Sequence, residues 1–348
     1  MHLTCLRYPA TIAAVVVALA ASAPKARGAV AVSEGPRLAF TAMTALKPRG
    51  YSIETVSPDG SGRLVLLRGA NRGMYPNPFS RATWSPDGTW LFFAGIEGRR
   101  KGIYKLRTDG TGLRFLRGTE EGRNPVLSPD GSRLAFTRDK KSSGSFLGST
   151  SVWVTDADGR SASQLTRWIG NTETAPCSFA PDNSKLAVTQ ENPITGETKV
   201  LLLRPEGSRR VRLLARRASE AVFSPDGSRI ALVRQTLSSR GPQFVVNQDL
   251  YLMSRDGSSS TPITSTPKVA ETQPSWDPLG QRLAFDAYHN SKDALGALFD
   301  KVLPVNNSIV EINADGTCRQ KILKLNGAIL RGGVWQPGPD RGPGRIEC

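Results

Sequence analysis

The chain has 348 residues, 39% of them hydrophobic, with 34 glycines and 24 prolines. That is enough apolar material for one large core, and too little glycine and proline to signal disorder. A formal net charge of +16 directs attention to anionic partners, and the two histidines, His2 and His289, exclude a site built on several imidazoles outside the N-terminal segment.

Residues 1–28 read as a signal peptide. Arg7 gives a positive start, Thr11 to Ser22 is uncharged and apolar, and small residues follow. Cleavage is expected after Gly28, with Ala26 at the third position back. The run is shorter than the roughly 20 residues needed to span a bilayer, although an uncleaved anchor is the alternative. Cys5 precedes the run and so cannot carry a lipoprotein's lipid. A periplasmic or extracellular location follows, and an oxidising compartment permits disulfides. Cys318 and Cys348 are then an expected bridge stapling a C-terminal tail, 341–348, while Cys177 sits in an apolar strand pattern and reads as a buried thiol.

Between these ends, residues 33–340 repeat themselves. One family of turns ends in an acidic residue and glycine, at Gly60, Gly110, Gly159, Gly207, Gly257 and Gly316, spaced by 50, 49, 48, 50 and 59 residues. The last interval is stretched by an insertion between Asp286 and Asn307. A second family interleaves with it. Ser85-Pro86-Asp87-Gly88, Ser128-Pro129-Asp130-Gly131 and Ser224-Pro225-Asp226-Gly227 are full matches. Ala180-Pro181-Asp182-Asn183, Asp277-Pro278-Leu279-Gly280 and Gln336-Pro337-Gly338-Pro339 are degenerate ones. Proline presets the first central φ of a tight turn, aspartate caps it, and glycine or asparagine accepts the left-handed conformation that follows.

Strands flank these turns. Leu91-Phe92-Phe93, Leu134-Ala135-Phe136, Leu186-Ala187-Val188, Ile230-Ala231-Leu232 and Leu283-Ala284-Phe285 alternate at period two, as a strand packed on both faces requires. Before the turns stand Trp84, Leu127, Phe179, Phe223, Trp276 and Trp335, expected as core of an innermost strand. Each unit thus holds four antiparallel strands. The expected fold is all-β, a six-bladed β-propeller of four-stranded blades. Arg37-Leu38-Ala39-Phe40 has no proline turn before it, and Gly332 to Pro337 has no strand after it. The C-terminal strand is therefore expected to complete the N-terminal blade, which removes open sheet edges.

The sequence W-S-P-D-G, then R-L-A-F, then a strand ending in D-G and a final L-T or L-L, resembles the TolB-type propeller repeat from Arg37 to Pro337. The resemblance implies a propeller. TolB proteins carry a further α/β domain before theirs; none is expected here between the leader and Arg37, so the resemblance is expected to imply the propeller and not the Tol–Pal role.

No catalytic residue, cofactor or metal site is expected. No G-x-S-x-G elbow or phosphate loop exists, and Asp156 with Asp158 lacks the remaining ligands of a calcium loop. The expected role is a binding scaffold of the cell envelope, monomeric, holding an acidic protein or anionic polymer, with peripheral membrane association a further expectation. The export signal argues against nucleic acid. The alternative is a carbohydrate- or peptide-active enzyme using two carboxylates at the channel. Long connections at 68–81, 138–150, 234–248 and 286–307 are expected on one face, where function concentrates. The candidate contact residues there are Tyr75, Phe79, Arg99, Arg100, Lys101, Lys140, Lys141, Phe146, Arg216, Arg217, Phe244 and Tyr288.

Overall fold

The computed structural model describes residues 36–44, 50–69, 73–140, 149–207, 211–240, 243–267, 269–289, 307–326, 328–338 and 345–348, without the side chains of 236–240, 243–247 and His289. The expected signal peptide lies outside the described residues. Among the described residues there is no α-helix, and no helix is long and apolar enough to cross a membrane.

The strands, in chain order, are β1 (Leu38–Met43), β2 (Tyr51–Val56), β3 (Leu64–Arg68), β4 (Met74–Pro76), β5 (Thr83–Trp84), β6 (Trp90–Glu97), β7 (Arg100–Arg107) and β8 (Arg114–Phe115). There follow β9 (Gly122–Leu127), β10 (Arg133–Asp139), β11 (Thr150–Asp156), β12 (Ser163–Gln164), β13 (Glu173–Phe179), β14 (Leu186–Asn192), β15 (Glu197–Leu203) and β16 (Arg212–Arg216). The last are β17 (Ala218–Phe223), β18 (Arg229–Arg240), β19 (Gln243–Ser254), β20 (Ser260–Pro262), β21 (Val269–Trp276), β22 (Arg282–His289), β23 (Asn307–Asn313), β24 (Gln320–Lys324) and β25 (Ile329–Trp335).

Hydrogen bonding groups them as β25-β1-β2-β3, β9 to β12, β13 to β16, a five-stranded set β4 to β8, and an eight-stranded set β17 to β24. The eight-stranded set is antiparallel throughout except at one parallel bridge, Gln248 to Ala270, between β19 and β21. The fold is an all-β propeller. β25 pairs antiparallel with β1, placing Trp335 opposite Leu38 and Leu330 opposite Ala42.

The turns explain why these sequences pair as they do. In the Ser85 turn, Gly88 N–H donates to Ser85 O (2.8 Å) and adopts φ 67°. Thr89 N–H donates to Asp87 Oδ1 (3.1 Å), and the Ser85 hydroxyl accepts from Trp90 N–H (2.9 Å). The Ser128 and Ser224 turns repeat these bonds. Asn183 holds the same left-handed position at φ 58°. In the degenerate turn, Asp277 replaces serine and accepts from Arg282 N–H at 2.8 Å.

The large residue before each turn is buried: Trp84 5%, Leu127 9%, Phe179 4%, Phe223 6%, Trp276 6% and Trp335 4% exposed. Each stabilises the fold by roughly 1.5–3 kcal/mol or more relative to exposure. One expected loop is not a loop. Residues 234–248 continue β18 and β19 into a hairpin paired as far as Arg240 to Gln243. Its Val-Arg-Gln-Thr-Leu and Phe-Val-Val-Asn-Gln sequences suit extended backbone, and pairing removes the cost of unmatched N–H and C=O groups.

Candidate functional site

Every innermost strand with a register shift departs from regular pairing at one equivalent place, two to three residues before its large buried side chain. Shifts fall between Ala135 and Thr137, Pro176 and Ser178, Ser219 and Val222, Thr272 and Ser275, and Ala39 and Thr41. The bulged residues Asn124, Glu220 and Gln273 take φ of 53°, 54° and 56°, with Gly332 at 71°. Left-handed backbone costs a non-glycine residue roughly 1–2 kcal/mol, and such strain concentrates at functional positions.

The bulge turns these amides toward neighbouring strands. Asn124 N–H donates to Ser80 Oγ (2.8 Å) and Glu220 N–H to Thr189 Oγ1 (2.8 Å). Gln273 N–H donates to Glu220 Oε2, and Gly332 N–H to Asp286 at 2.9 and 3.1 Å. Arg81 Nη2 reaches Pro274 O at 3.1 Å, 193 residues away in sequence.

The innermost strands surround a cavity of about 810 Å3 lined by Arg81, Asn124, Glu173, Cys177, Glu191, Glu220, Gln235, Gln248, Gln273 and Arg331, with Phe79 among its rim residues. Its charged residues are contributed by different segments, and Arg81 and Glu220 lie close enough to interact. Arg81 and Arg331 come from the connection before β5 and from β25, whereas Glu173, Glu191 and Glu220 come from β13, β14 and β17. Glu173 and Glu191 are direct cross-strand partners. Burial, then Glu173 and Glu220, push the Glu191 carboxyl upward. Gln273 Oε1 and Arg331 Nε are buried with no hydrogen-bond partner among the described residues. Paired groups are the rule inside proteins, so unpaired atoms at a cavity wall mark places a ligand can satisfy.

Behind this wall lies Asp286, fully buried. Burial raises its carboxyl to about 7, against the lowering effects of Gly332 N–H, Arg331 and Arg81. It occupies the register position of Thr189 and performs the same task, receiving the bulge amide of a neighbouring innermost strand. Tyr288 O–H donates to Leu330 O at 3.2 Å, and burial raises this phenol strongly. The Cys177 thiol is likewise raised by burial and lies 3.1 Å from Thr189 Oγ1, so it is not poised as a thiolate nucleophile.

Of the residues singled out in sequence, Phe79 and Tyr288 come together, flanking Arg331 with each ring centre 5.8 Å from its guanidinium. Tyr288 lies on a strand and not on a loop. Tyr75 is half-buried in β4, Arg99 and Arg100 are exposed at the β6–β7 hairpin, and Lys140 is exposed. Lys101 is ion-paired with Glu121 (2.9 Å) and Asp139 (3.7 Å), and Arg216 with Glu197 (3.4 Å). Arg217 is exposed at φ 51°. Lys141, Phe146 and the Phe244 side chain lie outside the described residues. The structure also joins Cys318 to Cys348, with Cα atoms 5.3 Å apart, and Ile346 N–H donates to Asn313 Oδ1 at 2.8 Å. Among the described residues no three His, Cys, Asp or Glu side chains cluster as metal ligands.

Sequence reasoning missed the channel set. The residue three before each large inner side chain is Arg81, Asn124, Pro176, Glu220, Gln273 and Gly332. Reading that single column of the repeat would have found four polar members of the wall.

The family model described as the TolB beta propeller domain matches residues 35–338. The Tol-Pal system protein TolB of Anaeromyxobacter dehalogenans is 32% identical over 116 residues, 33% of this chain and 24% of that protein. Dipeptidyl-peptidase 5 of Porphyromonas endodontalis is 25% identical over 238 residues, 66% of this chain and 32% of the peptidase. The chain therefore spans about a quarter of the TolB relative's length and about a third of the peptidase's. The crystal structure of TolB from Acinetobacter baumannii superposes with a TM-score of 0.64 at 19% identity, covering 87% of this chain and 67% of that one, a likeness of fold.

Proposed function

The chain belongs to the TolB beta-propeller domain family, and from that premise we propose that it is a non-enzymatic, exported binding scaffold of the cell envelope. Its ring has six blades in this reading. The single bridge between β19 and β21 supports dividing the eight-stranded set into two four-stranded blades, and the pairing of β25 with β1 supports closure by the C-terminal strand. The bound partner is a protein, consistent with the membership of the TolB relative in the Tol-Pal system.

The observation that carries this reading is a channel wall bearing charges of both signs together with unpaired polar atoms, Gln273 Oε1 and Arg331 Nε. An acidic group of the partner is held by Arg331, and by Arg99 and Arg100 outside the channel, while amide or basic groups face Glu173 and Glu191. Lys140 and Arg217 widen the basic rim. Pull-down from envelope extract at low and moderate salt tests it. A partner retained by the native chain and lost with Arg331→Ala is expected, whereas no captured partner, or equal capture by the variant, overturns it.

A second reading, a carbohydrate- or peptide-active enzyme, draws on the Glu173–Glu191 pair and on the peptidase relative. Turnover of a glycan or peptide panel that Glu191→Gln abolishes would favour it, and a panel left intact would remove it.

A further inference from the structure

A second cleft, of about 580 Å3, opens away from the channel, between the outer part of the β14–β16 sheet and the turns of the next one. Its walls include Ser228, after the β17–β18 turn, and Ser254, Arg255, Asp256 and Ser258, at the β19–β20 turn. Because the strands alternate in direction, both hairpin turns lie at the same end, opposite the start of the innermost strands.

Four cations line this cleft, Lys185, Arg204, Arg212 and Arg255, against one carboxylate, Asp256. Two are already committed. Arg212 donates to Asp256 O, and Arg255 donates to Asp182 Oδ2 at 2.6 Å, so both span the gap between sheets. Asp256 is held well below the usual carboxylate range by Ser254 and Ser258, so it stays charged and occupied within its own turn.

Lys185 and Arg204 are different. Lys185 occupies the repeat position filled elsewhere by Arg37, Arg133, Arg229 and Arg282. Each of those is engaged: Arg37 with Thr55 (3.0 Å), Arg133 with Glu206 (2.6 Å), Arg229 with Gly280 O (2.9 Å) and Arg282 with Glu311 (3.0 Å). Lys185 is half-buried, and its ammonium has no hydrogen bond or ion pair among the described residues; the exposed Arg204 guanidinium has no hydrogen bond there and only the neighbouring Glu206, itself paired with Arg133, as a nearby opposite charge. Leu202 and Phe223 line the same cleft, and Val211 is 53% exposed beside them. The combination is an apolar lining beside an unpaired ammonium, Lys185, and a guanidinium, Arg204, whose nearby carboxylate Glu206 is already paired with Arg133, in a volume typical of small-molecule sites.

We propose that this cleft binds an anionic amphiphile, with a carboxylate or phosphate head between Lys185 and Arg204 and an apolar body on Leu202, Phe223 and Val211. A bare anion would leave Val211, 53% exposed beside the nearly buried Leu202 and Phe223, in water, and an uncharged lipid would leave Lys185 unmatched. A long polyanion needs a track of charge, which a cleft confined between two sheets does not supply.

Isothermal titration with dodecyl phosphate and with dodecanoate, each below its micellar concentration, tests the site on the full chain. Saturable one-to-one binding is expected for at least one of them. Inorganic phosphate and dodecyltrimethylammonium should bind at least about tenfold more weakly, since each lacks one half of the recognition. A preference for dodecanoate identifies a fatty-acid head, and a preference for dodecyl phosphate a phospholipid-type head. Lys185→Glu should weaken binding at least about tenfold, and Lys185→Gln by a smaller factor in the same direction. Arg160→Glu makes the same change in net charge at an exposed turn outside the cleft and should leave affinity within about twofold. Equal affinity of Lys185→Glu and Arg160→Glu, equal binding of the cationic amphiphile, or no saturable binding overturns the proposal. A melting temperature for each variant separates lost binding from lost folding.

Discussion

Replacing Asp286 with asparagine should flatten the dependence of stability on pH between about pH 4 and pH 8. The carboxyl is fully buried and raised to about 7 in the folded chain, whereas an unfolded aspartate titrates near 3.9. The folded state therefore binds the proton more tightly. Its contribution is fully present below the unfolded value and is lost as pH rises through the folded one. About three pK units correspond to about 4 kcal/mol across the window. Asparagine keeps an oxygen to accept from Gly332 N–H and carries no charge to desolvate. Urea unfolding followed by tryptophan fluorescence, at half-unit pH steps, gives the comparison. The two proteins should be similar at pH 4, with the variant more stable by up to about 4 kcal/mol at pH 8. The turn carboxylates Asp87, Asp130 and Asp226 are lowered and act below this window. Parallel pH profiles for the native chain and the Asp286→Asn variant would refute the assignment of a neutral, buried acid.

Trp335→Ala should destabilise the chain by roughly 3–5 kcal/mol, because the residue is 4% exposed and joins β25 to the core containing Leu38 and Val56. An unchanged calorimetric melting point would show that β25 does not hold the N-terminal strands. Asp226→Ala should cost about 1 kcal/mol at pH 7 by removing the acceptor of Ser224 and Ser228. That deficit should shrink as pH falls from about 4 toward about 2, as the native carboxylate, lowered to about 2 by Ser224 and Ser228, itself protonates. Thiol titration of the denatured, unreduced chain should find Cys177 free and Cys318 and Cys348 unreactive. Reactive thiols from all three positions would dissolve the bridge.

Much of the fold is legible because hairpin chemistry is local. A proline, an aspartate and a glycine within four residues fix φ, cap the amides and set where two strands begin, so the turns at Gly88, Gly131 and Gly227 can be read without knowing their neighbours. Period-two alternation then places Phe93, Phe136 and Phe285 inside, and all three are buried. The same alternation misleads at 234–248. Polar residues such as Gln235 and Gln248 break the apolar pattern and suggest a loop, yet they belong to paired strands and line the channel.

The candidate site resists reading for a different reason. Strict alternation predicts which face of a strand a side chain takes only where pairing is regular, and a bulge inserts one residue and reverses that assignment. Asn124, Glu220 and Gln273 sit on such bulges, so their direction depends on register with the following strand and not on their own segment. Their partners are also remote: Arg81 meets Pro274 O, and Gly332 meets Asp286, across separate sheets or strands. Arginines and aromatics expected on connections draw attention instead, and Phe79 and Tyr288 are the two among the described residues whose rings stand beside a channel residue, Arg331. In a ring of repeats, the informative comparison runs down one column of the alignment of repeat on repeat. A column whose members change from Arg81 to Asn124 to Glu220 to Gln273, while the large residue three places later stays apolar, separates what each strand contributes to the wall from what it contributes to the core.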